Sequence, residues 1–142
     1  MTPVWIDKLL GARAVHLIGR IVLTFMFWGS GLSILADFSG FAREAEALGF
    51  SNGEAVAAAT ALTQLTGSAL IIWGRYVWLG AGALGIFTFL TIPLVHHFWA
   101  MPDGPQKIMS FHTATEHISM IGALILVSVL MAGREGERTK GA

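Results

Sequence analysis

Residues 55–97 read AVAAATALTQLTGSALIIWGRYVWLGAGALGIFTFLTIPLVHH, and Arg75 is the only charged side chain among them. The stretch contains two apolar runs, 55–73 and 78–97, each long enough as an α-helix to cross about 30 Å of hydrocarbon. Only residues 74–77 join the two runs. So short a connection predicts two antiparallel helices that are neighbours in a membrane.

Two more apolar runs flank this pair, at residues 15–36 and 113–132. The whole chain is 54% hydrophobic and 13% charged, whereas ordinary soluble domains are about 25% charged. We therefore predict an all-α integral membrane protein, with one membrane domain over residues 1–142. Its four transmembrane helices are expected to form an up-down-up-down bundle. The charged end of the chain, residues 133–142, is expected to be a flexible tail.

The basic residues are distributed unequally between the two ends of the predicted spans. Arg43 and Lys107 fall on one side, and seven fall on the other: Lys8, Arg13, Arg20, Arg75, Arg134, Arg138 and Lys140. In multi-pass proteins the cytoplasmic loops carry the excess of lysine and arginine. Both termini and the loop at Arg75 are therefore predicted to be cytoplasmic.

The connection between the first two spans has a helical pattern of its own. Ser39 can cap a short helix in which Phe41, Ala45 and Leu48 share one face, and Gly49 can end it. Such a helix is expected to lie in the outer interface of the membrane rather than cross it. An ordinary polar loop is the alternative interpretation.

Composition also excludes several classes of function. The chain has no cysteine, so disulfides, thiol redox relays and cysteine-ligated metal clusters are excluded. Its net charge is zero and no basic stripe is present, which argues against nucleic acid as a partner. A redox role would therefore need a bound cofactor. No nucleophile–base pair is visible either, so the sequence makes no enzyme assignment.

Polar side chains within the spans are costly in lipid and are candidates for function. His16 and Arg20 lie one turn apart near the cytoplasmic end of the first span, where Arg20 can either extend to head groups or find a buried partner. Gln64 lies mid-membrane and is expected to face the interior and pair with a polar group on a neighbouring helix. A third group gathers at the outer end: Asp37, His96, His97, Asp103, His112, Glu116 and His117.

The outer group is predicted to form the mouth of a pocket. The third span ends at its histidines and the fourth begins at the same membrane level, so His96 or His97 is expected to approach His117, His112 or Glu116. These last two are spaced i,i+4 and share one helix face, whereas His117 is rotated by about 100°. The candidate site residues are Arg20, Asp37, Gln64, His96, His97, His112, Glu116 and His117.

Four interpretations of this group remain open. It can bind the head of a quinone or a similar lipid-soluble carrier through hydrogen bonds. It can hold a haem between two histidines, or a divalent metal through His97, His112 and Glu116, although the spacing matches no tight metal motif. The fourth interpretation is that these interfacial groups satisfy only one another and water.

Several short segments follow one another along the chain in a distinctive order: Arg20, Phe27-Trp28-Gly29-Ser30-Gly31, Ala36-Asp37-Phe38-Ser39-Gly40-Phe41, Gln64-Leu65-Thr66-Gly67, Gly74-Arg75 and His96-His97-Phe98-Trp99. Residues 106–122 then lead into the fourth span. In order and spacing, these segments resemble the DoxX family of membrane proteins over residues 17–132. The resemblance assigns importance to Arg20, Asp37, Gln64, Arg75 and His97.

The resemblance implies a small four-span bundle in the bacterial inner membrane with a link to redox processes. Relatives include a subunit of a thiosulfate:quinone oxidoreductase. The expected function is therefore that of a quinone-linked or redox-accessory subunit, and the alternative is a non-enzymatic scaffold or assembly factor that anchors partner proteins. The expected partners are the lipid bilayer, other membrane or redox proteins and a second copy of the chain.

The chain also departs from many members of that family at three places. Glu116-His117 stand where a lysine–asparagine pair is common, and Ile34 and Gln64 stand where a lysine and a glutamate are common. The last two positions belong together. Loss of both a base and an acid is the exchange expected when a buried ion pair is neutralised as a unit.

The predicted orientation can be tested by labelling single cysteines, because the natural chain contains none. A cysteine at Arg75 should resist a membrane-impermeant maleimide in intact cells, whereas one at Lys107 should react. Both should react in opened membranes, which is the control for accessibility. Labelling at Arg75 but not at Lys107 in intact cells would reverse the topology.

Overall fold

The computed structural model describes the backbone of residues 2–140 and the side chains of residues 2–133. The described chain is helical, with no strand in residues 2–140. The flexible tail was predicted at residues 133–142, and all of these residues except Gly133 lie outside the part of the chain whose side chains are described. The helices are α1 (Val4–Gly11), α2 (Arg13–Leu23), α3 (Phe25–Ala36), α4 (Phe38–Ala47), α5 (Gly53–Trp73), α6 (Val77–Leu94) and α7 (Pro105–Lys140), with a 3-10 turn at Phe98–Ala100.

Three helices are long and apolar enough to cross a membrane, namely α5, α6 with its 3-10 turn, and α7. The pair α2 and α3 passes the same test when taken together. The prediction of an all-α membrane protein with several spanning helices is thus confirmed. The helices pack largely in chain order, α5 against α6 and α6 against α7, while α3 also packs against α5.

The first predicted span is not one straight helix, because α2 and α3 meet at Thr24 with a bend of 53°. The Thr24 hydroxyl donates to the carbonyl of Arg20 at 2.8 Å, so this side chain competes with the backbone of the helix. The carbonyl of Ile21 accepts instead from the indole N–H of Trp28 at 3.1 Å. The Trp28 side chain therefore supplies the hydrogen bond that the Ile21 carbonyl loses where the helix bends.

The segment between the first two spans forms the helix α4, but its cap differs from the prediction. Asp37 is the N-cap, and its Oδ1 accepts from the backbone N–H of Gly40 at 2.9 Å, so the expectation of a Ser39 cap is wrong. A carboxylate both accepts this bond and favours the helix N-terminus electrostatically. Ala42 and Ala45 are buried, and α4 packs on α5. Its position in the membrane interface stays a prediction.

Small residues allow α5 and α6 to approach closely. A Cβ atom on Gly80 would lie 2.6 Å from the carbonyl oxygen of Gly67, and one on Gly67 would lie 2.7 Å from Cγ of Leu84. Leu84 is fully buried and belongs to a core cluster with Phe27, Ile71, Val77, Ala81 and Leu124. The close backbone approach therefore aligns α6 so that its apolar face completes the core.

Helix α6 ends at Leu94, three residues before the predicted end of the third span. Pro93 lies in its last turn and has no N–H to donate to the helix. The backbone N–H of His96 bonds to the carbonyls of Thr91 and Ile92, both at 3.1 Å. The chain thus turns before His96, and this turn sets the direction of the histidine side chains.

The contact at Gly80 yields a prediction about stability. Gly80→Ala should destabilise the folded protein by about 1–3 kcal/mol, because overpacking forces the α5 backbone to move. Gly82→Ala is the matched control on the same helix, since a Cβ there meets nothing within 4 Å among the described residues. Thermal unfolding in detergent should show a lower Tm for the first variant only. Equal Tm values would contradict the tight α5–α6 contact.

Candidate functional site

A cavity of about 460 Å³ lies among α3, α4, α5 and α6. Its volume is within the range of roughly 300–1,000 Å³ found for small-molecule sites. Aromatic and aliphatic side chains form most of its wall, including Phe27, Phe41 and Phe87. Its polar lining comes from Ser30, Glu44, Thr60, Gln64, Thr88, Thr91, His96 and His117.

Gln64 is the central polar group of the cavity. Its side chain projects from α5 and is only 6% exposed, so it faces the interior as the sequence predicts. The expected polar partner on a neighbouring helix is not found for its oxygen: Oε1 is buried and has no hydrogen bond within the described residues 2–133. A buried acceptor without a partner costs about 1–3 kcal/mol. Gln64 therefore leaves one buried acceptor unpaired within the described residues.

Two threonines of α6 line the cavity and were not predicted as site residues. The Thr88 hydroxyl donates to the carbonyl of Leu84 at 2.7 Å, and that of Thr91 donates to the carbonyl of Thr88 at 2.8 Å. Both hydroxyl protons are used within the helix, so each oxygen presents lone pairs for another donor. Their i,i+3 spacing on a membrane helix is the signal that could have identified this polar edge.

The outer end of the cavity is bordered by His96 and His117. The two rings meet edge to face, with centroids 5.2 Å apart and planes at 79°. The structure thus brings the end of the third span to α7, and among the three predicted candidates the partner is His117. The side chains of His112 and Glu116 are exposed, and Glu116 borders a separate shallow depression.

The rotation of α7 explains this difference. Ser110, Ala114 and Leu124 are buried, and their spacing defines one helical face. His117 falls on that face, whereas His112 and Glu116 project from another. Close packing of small and apolar side chains against α6 therefore determines which polar residues turn inward.

His97 lies beside the cavity rather than in its wall. Its ring contacts Trp99, with centroids 6.5 Å apart, and its Nδ1 is buried without a hydrogen bond in the part of the chain whose side chains are described. Phe98 in turn packs edge-on against Phe111 of α7, with centroids 5.2 Å apart. These ring contacts attach the 3-10 turn to α7.

Arg20 lies at the opposite end of the bundle, away from the cavity lining. Its Nη1 donates to the carbonyl of Ile71 at 3.4 Å, and its Nε donates to the carbonyl of His16 at 3.2 Å. Ile71 lies in the last turn of α5, and Gly74 next to the guanidinium leaves no room for a Cβ. Arg20 therefore has a protein partner, and its charge stabilises the C-terminal end of α5.

The two aspartates of the outer group have structural roles. Asp37 caps α4 and borders a depression of about 390 Å³ that shares Ser30, Phe41 and Glu44 with the main cavity. Asp103 pairs with Lys107 at 2.8 Å on the surface. The hydrogen bond and the charge of Lys107 together hold the pKa of Asp103 below its ordinary value.

The arrangement bears on the cofactors considered from the sequence. Within residues 2–133, no three His, Asp or Glu side chains come together as metal ligands, and this includes the candidate set of His97, His112 and Glu116. Two axial histidines must stand on opposite faces of a haem, and the rings of His96 and His117 touch each other.

Comparison with known protein families matches the DoxX family over residues 15–97. The match begins in α2 and runs through the bend at Thr24, α4, α5 and α6 to His97, so it includes most of the cavity wall. No curated protein and no solved structure matches the chain.

The Arg20 contact predicts a difference between two arginines of α2. Arg20→Met should destabilise the protein by about 1–2 kcal/mol, because the last carbonyls of α5 lose a charged donor. Arg13→Met is the matched control, since Arg13 is exposed on the same helix. Thermal unfolding in detergent or nanodiscs measures both. An equal loss of stability in the two variants would show that the Ile71 contact contributes nothing specific.

Proposed function

The chain belongs to the DoxX family of membrane proteins, and from this premise we propose that its cavity binds the head group of a quinone or a similar lipid-soluble redox carrier. The observation that carries the proposal is the lining of the cavity, in which a largely apolar wall is combined with Gln64 and a few other polar side chains. Ligand sites commonly combine an apolar wall with a few convergent polar groups. The flat, apolar ring of a quinone, with oxygen atoms at its edge, matches that combination.

The mouth of the cavity supports entry from the bilayer. Met26, Leu90 and Leu94 line the cavity and are 37%, 47% and 51% exposed. All three are apolar and belong to helices of the membrane-crossing set, so this exposed surface faces lipid. A carrier dissolved in the bilayer could place its ring inside while its hydrophobic tail remains among the acyl chains.

In the proposed complex, apolar residues of the cavity contact the faces of the ring and polar residues contact its oxygen atoms. The phenyl rings of Phe27, Phe41 and Phe87 offer flat apolar surfaces for its faces. Gln64 offers hydrogen bonds to one ring oxygen from α5, and His96 offers them at the outer end of the cavity. In this proposal the chain acts as a quinone-linked or redox-accessory subunit. It holds the carrier, and a partner redox protein exchanges electrons with it.

The proposal includes an orientation in the bacterial inner membrane with both termini in the cytoplasm. The basic residues support it. The guanidinium of Arg75 lies 5.8 Å from the Trp73 ring and 5.3 Å from the Tyr76 ring, which supports an interfacial position for this loop, because tryptophan and tyrosine are enriched at both membrane interfaces. The His96 end of the cavity then lies nearer the periplasm.

A non-enzymatic scaffold is the second candidate function. One observation favours it: only 6% of the most apolar stretch of α7 is buried within the described chain. A spanning helix so little covered by its own protein leaves a long surface on which other membrane helices can pack. A protein whose cavity stays empty in every binding assay would favour this role.

Ligand binding can be tested with a variant that fills the cavity. In lipid nanodiscs, the natural protein should bind a decyl-tailed benzoquinone or its hydroquinone saturably, above the partitioning into empty nanodiscs. Ser30→Phe should weaken binding at least tenfold, because Ser30 lines the cavity. Ser33→Phe is the matched control, since Ser33 lies on the same helix, is exposed and does not line the cavity.

The contrary result is equally specific. If the natural protein binds neither the quinone nor the hydroquinone above the partitioning into empty nanodiscs, the proposal is refuted. Equal weakening by both serine substitutions would place the ligand elsewhere.

A further inference from the structure

Helix α1 (Val4–Gly11) has an apolar face that the described chain leaves largely exposed. The face comprises four side chains: Trp5, Ile6, Leu9 and Leu10. At 3.6 residues per turn they fall within an arc of about 140°. Ile6 is partly buried, and the other three are between 53% and 68% exposed. Asp7 and Lys8 fall on the opposite side, with Val4 beside Lys8, so α1 is amphipathic and its apolar side is uncovered.

The chain changes direction between α1 and α2. Ala12 is extended there, with a φ of −67° and a ψ of 133°. The N–H of Ala12 still bonds to the carbonyl of Leu9 at 3.1 Å, and a new helix begins at Arg13. Helix α1 packs against α2 but does not continue it. It is therefore a separate helix, outside the membrane-crossing pair that α2 forms with α3.

A surface that contacts lipid lies next to α1. Leu17 and Ile18 are exposed apolar side chains of α2, which belongs to the membrane-crossing pair. Only Ala12 separates the two helices, so the exposed apolar surface continues from α2 into α1. At this end of the bundle Arg20 donates to the last turn of α5. Helix α1 therefore lies at the same end as the loop at Arg75.

From this continuity we infer that α1 is an interfacial anchor, whose apolar face inserts between the head groups and the acyl chains of the adjacent leaflet. Eight residues of helix measure about 12 Å, which is too short to cross about 30 Å of hydrocarbon. Trp5 suits this position, because tryptophan is enriched at membrane interfaces. In the proposed orientation the leaflet is the cytoplasmic one. The position of α1 is independent of the ligand proposed for the cavity.

The attachment of α1 rests on apolar area rather than on charge. Its charged side chains, Asp7 and Lys8, cancel each other, and the nearest further cation, Arg13, belongs to α2. Interfacial helices bind through buried apolar area and through attraction of basic residues to anionic lipids. Since α1 has the first contribution without a net charge of its own, we expect it to insert into purely zwitterionic lipid.

Labels on single cysteines test this position, because the natural chain contains no cysteine. A bimane label is attached at Leu9→Cys or at Asp7→Cys in the full chain, in zwitterionic nanodiscs. Lipids with a quencher near the head group should quench the Leu9 label at least about twofold more than the Asp7 label. Iodide, which stays in water, should quench the Asp7 label more strongly.

The Asp7 variant is the matched control, since it lies on the same helix two residues away and on the opposite side. Ile86→Cys is the control for depth, because Ile86 is an exposed side chain in the middle of α6. Its label should be quenched more by lipids that carry the quencher near the end of the acyl chain. The Leu9 label should show the reverse order, because an interfacial helix remains near the head groups.

Four results would overturn the anchor, and each has a different meaning. Equal quenching of the Leu9 and Asp7 labels by iodide would show that α1 projects into water. Protection of the Leu9 label from iodide and from both lipid quenchers would show that protein covers the face, as in a complex with a second copy. Stronger quenching of the Leu9 label by the deep quencher would place α1 in the hydrocarbon. Quenching of this label only after anionic lipid is added would show that charge, and not apolar area, attaches α1.

Discussion

Hydrocarbon offers no hydrogen-bond partner to a backbone N–H or carbonyl group, so a chain that crosses it must satisfy these groups internally. Long helices meet this constraint along most of the chain, and side chains meet it where the helices end or bend. Trp28 donates to the Ile21 carbonyl and Thr24 to the Arg20 carbonyl at the bend, and the Arg20 side chain donates to the last turn of α5. The polar side chains that best resemble functional groups in the sequence are thus partly engaged in completing helices.

Gln64 differs from these residues because its oxygen completes nothing. The positions around it follow the constraint: Thr88 and Thr91 use their hydroxyl protons within α6, and Ile34 packs in an apolar cluster with Ala57 and Ala61. A lysine at position 34 would be an unpaired base in this cluster when residue 64 is an uncharged glutamine, and burying such a charge is costly. The neutral residues at positions 34 and 64 therefore accord with each other. A neutral amide is less costly to bury than a carboxylate, and it retains both a donor and an acceptor for a ligand.

The sequence predicts the spanning helices well because hydrophobic length is a strong signal, and α5 agrees with the predicted span 55–73 to within two residues. The bend at Thr24 is harder to predict, since no proline or glycine interrupts the apolar run at that point. The rotation of α7 is harder still. Polarity favours an inward His112 and Glu116, whereas the packing of Ser110 and Ala114 against α6 turns His117 inward. The cavity depends on the spacing of four helices, and no local pattern encodes it.

Helix α4 connects the fold to the candidate site. Phe41, Ala45 and Leu48 line the outer part of the cavity, so α4 covers the space that α3, α5 and α6 leave between them. The Asp37 cap begins the helix, and its middle lies close against the start of α5, because a Cβ on Gly53 would collide with the carbonyl of Ala42. The same helix that the sequence suggests as a passive interfacial segment therefore determines how deep the cavity is. Helix α4 thus covers one side of the cavity, while the exposed apolar side chains of Met26, Leu90 and Leu94 line its open side.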